Sequence, residues 1–100
     1  MKTFHIKYII TSLFLIFSAL CSKAELFEQA DSAYKSGDYN RAIESYRTIE
    51  QNEGVSSNLY YNMGNAYAKT GDYGHALLFY LKALRLDPSN KSARENIAYI

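Results

Sequence analysis

The stretch Leu59–Pro88, LYYNMGNAYAKTGDYGHALLFYLKALRLDP, constrains this chain more than any other. Within it Tyr60, Met63, Gly64, Tyr67, Ala76, Tyr80, Ala83 and Pro88 are separated by 3, 1, 3, 9, 4, 3 and 5 positions. The large residues recur at helical spacing on both sides of a Gly-Asp break, so the pattern predicts two helices that pack on each other. Gly64 and Ala76 lack bulk and are expected where the helices cross. Gly71 can adopt the left-handed conformation that ends the first helix, and Asp72 can cap the second. Pro88 offers no amide donor and restricts Asp87, so the second helix stops there.

A hairpin of this size leaves one apolar side uncovered and needs a neighbour. Shifting the chain by 34 residues supplies one. Lys35, Gly37, Asp38, Tyr39, Ala42 and Tyr46 of the earlier unit superpose on Lys69, Gly71, Asp72, Tyr73, Ala76 and Tyr80. The large–Gly–Tyr, Ala–aromatic–Ala and Pro positions resemble the tetratricopeptide repeat (TPR), a helical-hairpin solenoid. The resemblance covers the chain after Ala24. Residues 25–56 are read as a first repeat, 57–90 as a second, and 91–100 as the opening helix of a third or a capping helix. The first repeat departs from the pattern, with Ala30 for Gly, Ala33 for Tyr, Ile49 for the second Ala and Gly54 for Pro. The fold class expected is therefore an all-α TPR solenoid.

Residues 1–24 read differently. Lys2 and Lys7 precede a 13-residue, largely apolar run, Tyr8–Leu20, and Ser22 and Ala24 stand at the small-residue positions of a cleavage site. At about 1.5 Å per residue the run falls short of a ~30 Å bilayer core. A signal peptide cleaved after Ala24 is expected, with an exported, periplasmic or cell-envelope destination, and an uncleaved anchor is the competing reading. Acylation of Cys21 is a lesser alternative, since a lipoprotein site usually has a small residue where Leu20 stands, and a lone cysteine forms no intramolecular disulfide.

The first helix is expected over 25–36, with Leu26, Ala30, Ala33 and Tyr34 on its apolar stripe. The second should bury Tyr39, Ala42, Ile43, Tyr46 and Ile49, and Arg41, Glu44 and Arg47 should form a merely solvated face. Gln51–Ser57 reads as a turn. The fourth helix, Tyr73–Leu86, is apolar nearly all round and is expected to be buried. The pattern from Lys91 places Ala93, Ile97 and Ile100 on one face. Ending there in mid-pattern, the chain reads as a fragment, or as one whose fourth helix something else covers.

Chemistry narrows the function. Only His5 and His75 are present, and no phosphate loop, metal-ligand set or nucleophile with a nearby base is visible. After residue 24 the chain carries eight basic against ten acidic residues, which gives no nucleic-acid footprint. No catalytic residue, metal or cofactor is expected. The TPR resemblance implies a concave groove lined by the first helix of each repeat. Carried over by position, its residues are Phe27, Asp31 and Tyr34, then Tyr61, Asn62, Asn65 and Lys69, then Asn96, and the ligand is a protein or peptide. Asn62 matches the middle position of the chaperone-type carboxylate clamp, but Phe27, Asp31, Ser92 and Asn96 do not supply its charges, so that clamp is absent.

The leader, the repeats and the segment ARENIAYI also resemble the TPR protein of the Bacteroides aerotolerance (Bat) operon, of the BatE type. That resemblance implies an envelope scaffold working with von Willebrand A-domain membrane proteins. A periplasmic chaperone or assembly factor, and a docking module of a larger enzyme, are the alternative classes.

Overall fold

The computed structural model describes residues 24–100. The described residues form five α-helices and no strand: α1 (24–35), α2 (Tyr39–Glu53), α3 (Ser57–Lys69), α4 (Tyr73–Leu86) and α5 (Lys91–Ala98). The signal-peptide expectation falls on residues 1–24, and all but Ala24 of these lie outside the described ones. Among the described residues no helix is long and apolar enough to cross a membrane.

Local chemistry sets the helix ends. Asp38, Ser56, Asp72 and Asn90 each accept a hydrogen bond from the backbone amide three residues on, at 3.0–3.3 Å, which satisfies an otherwise orphaned donor. The hydrogen bond from Ser89 holds the Asp87 carboxyl below its ordinary value just past α4, and its cap amide and side-chain bonds from His75 do the same for Asp72. The two intra-hairpin turns are copies. Gly37 and Gly71 both have φ +84°, and Asp38 N and Asp72 N donate to Ala33 O and Tyr67 O at 2.9 and 3.1 Å. The inter-repeat turn is shorter than its composition suggests. Gln51, Asn52 and Glu53 continue α2, which ends only at Gly54 with φ +97°.

Successive helices from α2 onward pack on one another, α3 with α4 more extensively than α2 with α3 or α4 with α5. The core is one cluster: Ala30 and Ala33 of α1; Ala42, Tyr46 and Ile49 of α2; Leu59, Met63, Ala66 and Tyr67 of α3; Ala76, Phe79, Tyr80 and Ala83 of α4; and Ala93 of α5. The close approach predicted at Gly64 is present, but its partner is Tyr80. A Cβ on Gly64 would lie 2.6 Å from Cδ1 and Cε1 of that ring.

Three further expectations are corrected. Arg47 is not merely solvated: its guanidinium lies 5.9 Å from the centroid of Tyr67, linking the repeats by a cation–π contact. Tyr67 in turn stacks on Phe79 at 5.4 Å and on His75 at 5.0 Å. The fourth helix is not buried all round, since Leu77, Leu78, Leu81 and Leu86 are exposed. Ile100 lies beyond α5 and is exposed, so only Ala93 and Ile97 of the predicted stripe meet the core. A hydrogen-bond chain, Asn90 Nδ2 to Ser57 Oγ (2.8 Å) and Ser57 Oγ to Ala83 O (2.9 Å), ties the capping residue of α5 to α3 and α4.

Candidate functional site: a concave groove on the first helices

The capped helices set α1, α3 and α5 side by side, and their common face forms two adjoining hollows. The smaller, about 100 Å³, is lined by Asp31, Tyr34, Lys35, Tyr46, Asn62 and Asn65. The larger, about 370 Å³, is lined by Tyr34, Tyr61, Asn65, Ala68, Lys69, Tyr73, Tyr80, Asn96, Tyr99 and Ile100. Tyr34 and Asn65 belong to both, so the hollows form one groove.

Of the residues expected from the sequence, Asp31, Tyr34, Tyr61, Asn62, Asn65, Lys69 and Asn96 are brought together on this surface. Phe27 lines neither hollow and packs, half-buried, against the core. An aromatic ring at the end of α1 gains more from the adjacent apolar cluster than from water.

The groove floor is a polar network. Tyr46 Oη donates to Asp31 Oδ1 at 2.6 Å, and one period later Tyr80 Oη donates to Asn65 Oδ1. Asn96 Nδ2 donates to the same Asn65 oxygen at 2.9 Å and approaches Tyr80 Oη at 3.4 Å and Tyr61 Oη at 3.5 Å. Asn65 therefore braces three helices, and its carbonyl is already engaged. Burial pushes the hydroxyls of Tyr46 and Tyr80 above the usual tyrosine value, and at Tyr46 the Asp31 carboxylate adds to the effect. Burial also raises Tyr34, with smaller contributions from Tyr39 and Tyr61.

Sequence reasoning assigned Tyr46 and Tyr80 to the core alone and passed over Tyr73. A signal for the first two existed: Asp31 to Tyr46 and Asn65 to Tyr80 are both 15 apart, and Asn62 and Asn96 repeat at the same 34-residue offset. The upper walls are aromatic and cationic. Tyr99 is 89% exposed, and among the described residues neither Lys35 nor Lys69 is in an ion pair. Among the described residues no group of three or more His, Cys, Asp or Glu could hold a metal ion.

The comparisons with known proteins fit this geometry. Residues 57–90 match the family model described as tetratricopeptide repeat. The chain carries a TPR. It is also 38% identical over 72 residues to the photosystem I assembly protein Ycf3 of Synechococcus elongatus, covering 69% of this chain and 42% of that protein. The Ycf3 protein of Rippkaea orientalis is 35% identical over 72 residues, with the same shares covered. That of Prochlorococcus marinus is 31% identical over 77, covering 74% of this chain and 44% of the relative. The chain thus spans less than half the length of these relatives.

The expectation of an exported, periplasmic or envelope protein is overturned by these relatives, which are photosystem I assembly proteins and not periplasmic exported ones. That expectation rested on the composition of residues 1–24 and the Bat resemblance. The relatives found are likewise not proteins of the BatE type. A TPR is a surface for protein partners, and that coarse function holds for this chain.

Proposed function

We propose that this chain is a non-enzymatic binding module that holds an extended segment of a partner protein in the α1–α3–α5 groove during the assembly of a larger complex. The single observation that carries this reading is the continuous groove itself, with exposed aromatic and cationic walls above a satisfied polar floor. Tyr61 and Tyr99 offer rigid amphipathic contact to a partner's side chains, Asn62 supplies an amide for its backbone, and Lys69 a charge. The relatives named as assembly proteins favour an assembly role and lend photosystem I subunits as one partner class. The Bat-type scaffold, with von Willebrand A-domain partners, rests on sequence resemblance alone and is the weaker reading.

The test is site-specific photo-crosslinking in the native host. A benzophenone amino acid at Lys69, in the groove, should give discrete protein adducts identifiable by mass spectrometry. The same probe at Glu44, on the outer side of α2, should give none. Adducts from Glu44 alone would move the binding surface to the convex side and refute the reading.

A further inference from the structure

The outward face of α4 is explained neither by packing nor by the groove. At 100° per residue, Gly74, Leu77, Leu78, Leu81 and Arg85 form one stripe opposite the buried Ala76, Phe79, Tyr80 and Ala83. Leu77, Leu78 and Leu81 are 36%, 45% and 50% exposed. One 34-residue period earlier, the same stripe on α2 reads Asn40, Ile43, Glu44, Arg47 and Gln51. On α2, Ile43 packs against the core and Arg47 lies over Tyr67 of the second repeat, while Glu44 is exposed, so Leu77 has an apolar counterpart in the first hairpin and the fold does not call for leucine at 78 and 81. Adjacent exposed leucines on one helix mark a surface that meets another protein.

The stripe is complementary to itself. Gly74, Leu78, Leu81 and Arg85 are spaced 4, 3 and 4, the seam of a helix pair. The acid Asp72 stands at its N-terminal end and the base Arg85 at its C-terminal end. A Cβ built on Gly74 would meet only Asp72 Oδ1, at 3.8 Å, so the space above it is open.

We propose that this face docks a second copy of the chain, the two α4 helices packing antiparallel about a two-fold axis midway along the stripe. Leu78 of one copy then meets Leu81 of its partner, and the reverse, as an isologous contact requires. Arg85 passes over the partner's Gly74 towards its Asp72. A parallel pair would set Arg85 against Arg85 and Asp72 against Asp72, so charge and the helix dipoles both select the antiparallel form. Of α4 the groove uses Tyr73 and Tyr80, which lie off this stripe, so it stays free in the dimer.

Sedimentation equilibrium of the full chain should show a monomer–dimer equilibrium. Leu78→Glu with Leu81→Glu should abolish it and leave circular dichroism unchanged, and Glu44→Lys on the equivalent α2 stripe should not affect it. In a Cys21→Ser background, a mixture of Gly74→Cys and Arg85→Cys copies should form a disulfide-linked dimer under oxidation. Neither variant alone should do so, because like positions would lie about 16 Å apart along the axis, eleven residues at the helical rise. A chain that is monomeric throughout, an association that survives the double glutamate, or crosslinking within either variant alone would each overturn the proposal. So would a monomer that takes up an unrelated helical peptide on this face.

Discussion

A methyl group on Gly64 would lie 2.6 Å from two carbons of the Tyr80 ring, closer than real Cβ contacts come, so something must shift. Tyr80 cannot easily yield, because its ring is buried and its hydroxyl is tied to Asn65. Gly64→Ala therefore sets a helix-propensity gain of about 1 kcal/mol against an overpacking cost of ~1–3 kcal/mol. The expected net loss of about 1 kcal/mol appears as a lower melting temperature. Gly74→Ala, at a position with open space, should keep only the gain, and in dilute protein its melting temperature should rise. A second residue-scale consequence concerns alkali. The folded pKa values of Tyr46 and Tyr80 lie above the ordinary 10.0, so the folded state retains protons that the unfolded chain releases. That contribution to stability is complete below pH 10 and is lost as pH rises from there towards the folded values. Urea midpoints should hold up to about pH 10 and fall above it, and Tyr46→Phe should flatten the fall while costing about 1 kcal/mol near neutrality.

At the scale of elements, the two hairpins show which signals a sequence carries openly. Gly37, Gly71, Asp38, Asp72 and Pro88 act on their own backbone or on the amide three residues on, so their consequences were legible. Gln51–Glu53 misled because polar composition suggests a turn, whereas nothing there stops a helix until Gly54 takes a positive φ. The brace of Asn96 on Asn65 and the seat of Arg47 on Tyr67 join residues 31 and 20 apart. No local window reads such contacts, since they exist only once the helices are stacked. The exposed leucines of α4 show the same limit, because apolarity does not say what will cover a face. Ala76 and Glu44 test the helix register. Ala76 is fully buried on α4 and Glu44 is exposed on α2. Ala76→Arg adds overpacking of ~1–3 kcal/mol to an unpaired buried charge worth several more. Against a total of ~5–15 kcal/mol, the variant should be largely unfolded by circular dichroism. Glu44→Arg should change stability by less than ~0.5 kcal/mol.

For the molecule as a whole, a satisfied floor beneath an adaptable wall separates what holds the groove from what it holds. Asn65 belongs to the floor: its carbonyl accepts from Tyr80 and Asn96, so Asn65→Ala should lower the melting temperature as well as partner affinity. Tyr61 and Lys69 belong to the wall. Tyr61 is half-buried with its ring 6.0 Å from that of Tyr80, so it is presented rigidly and is the expected anchor. Aromatic anchors of this kind carry ~2 kcal/mol or more of binding energy, so Tyr61→Ala should weaken capture of the crosslinked partner by about thirtyfold. Lys69 is exposed and makes no ion pair among the described residues, so its contribution is a screened charge. Lys69→Ala should weaken binding a fewfold at low salt and have little further effect at about 1 M, where the screening length shrinks to about 3 Å. Neither wall variant should shift the melting temperature by as much as Asn65→Ala. Titrating the partner against all three variants at two salt concentrations, with Glu44→Ala as the convex-side control, separates the two layers. Equal salt dependence in the wild type and Lys69→Ala would take Lys69 out of the site, and loss of binding in Glu44→Ala would place the partner on the other side of the hairpins.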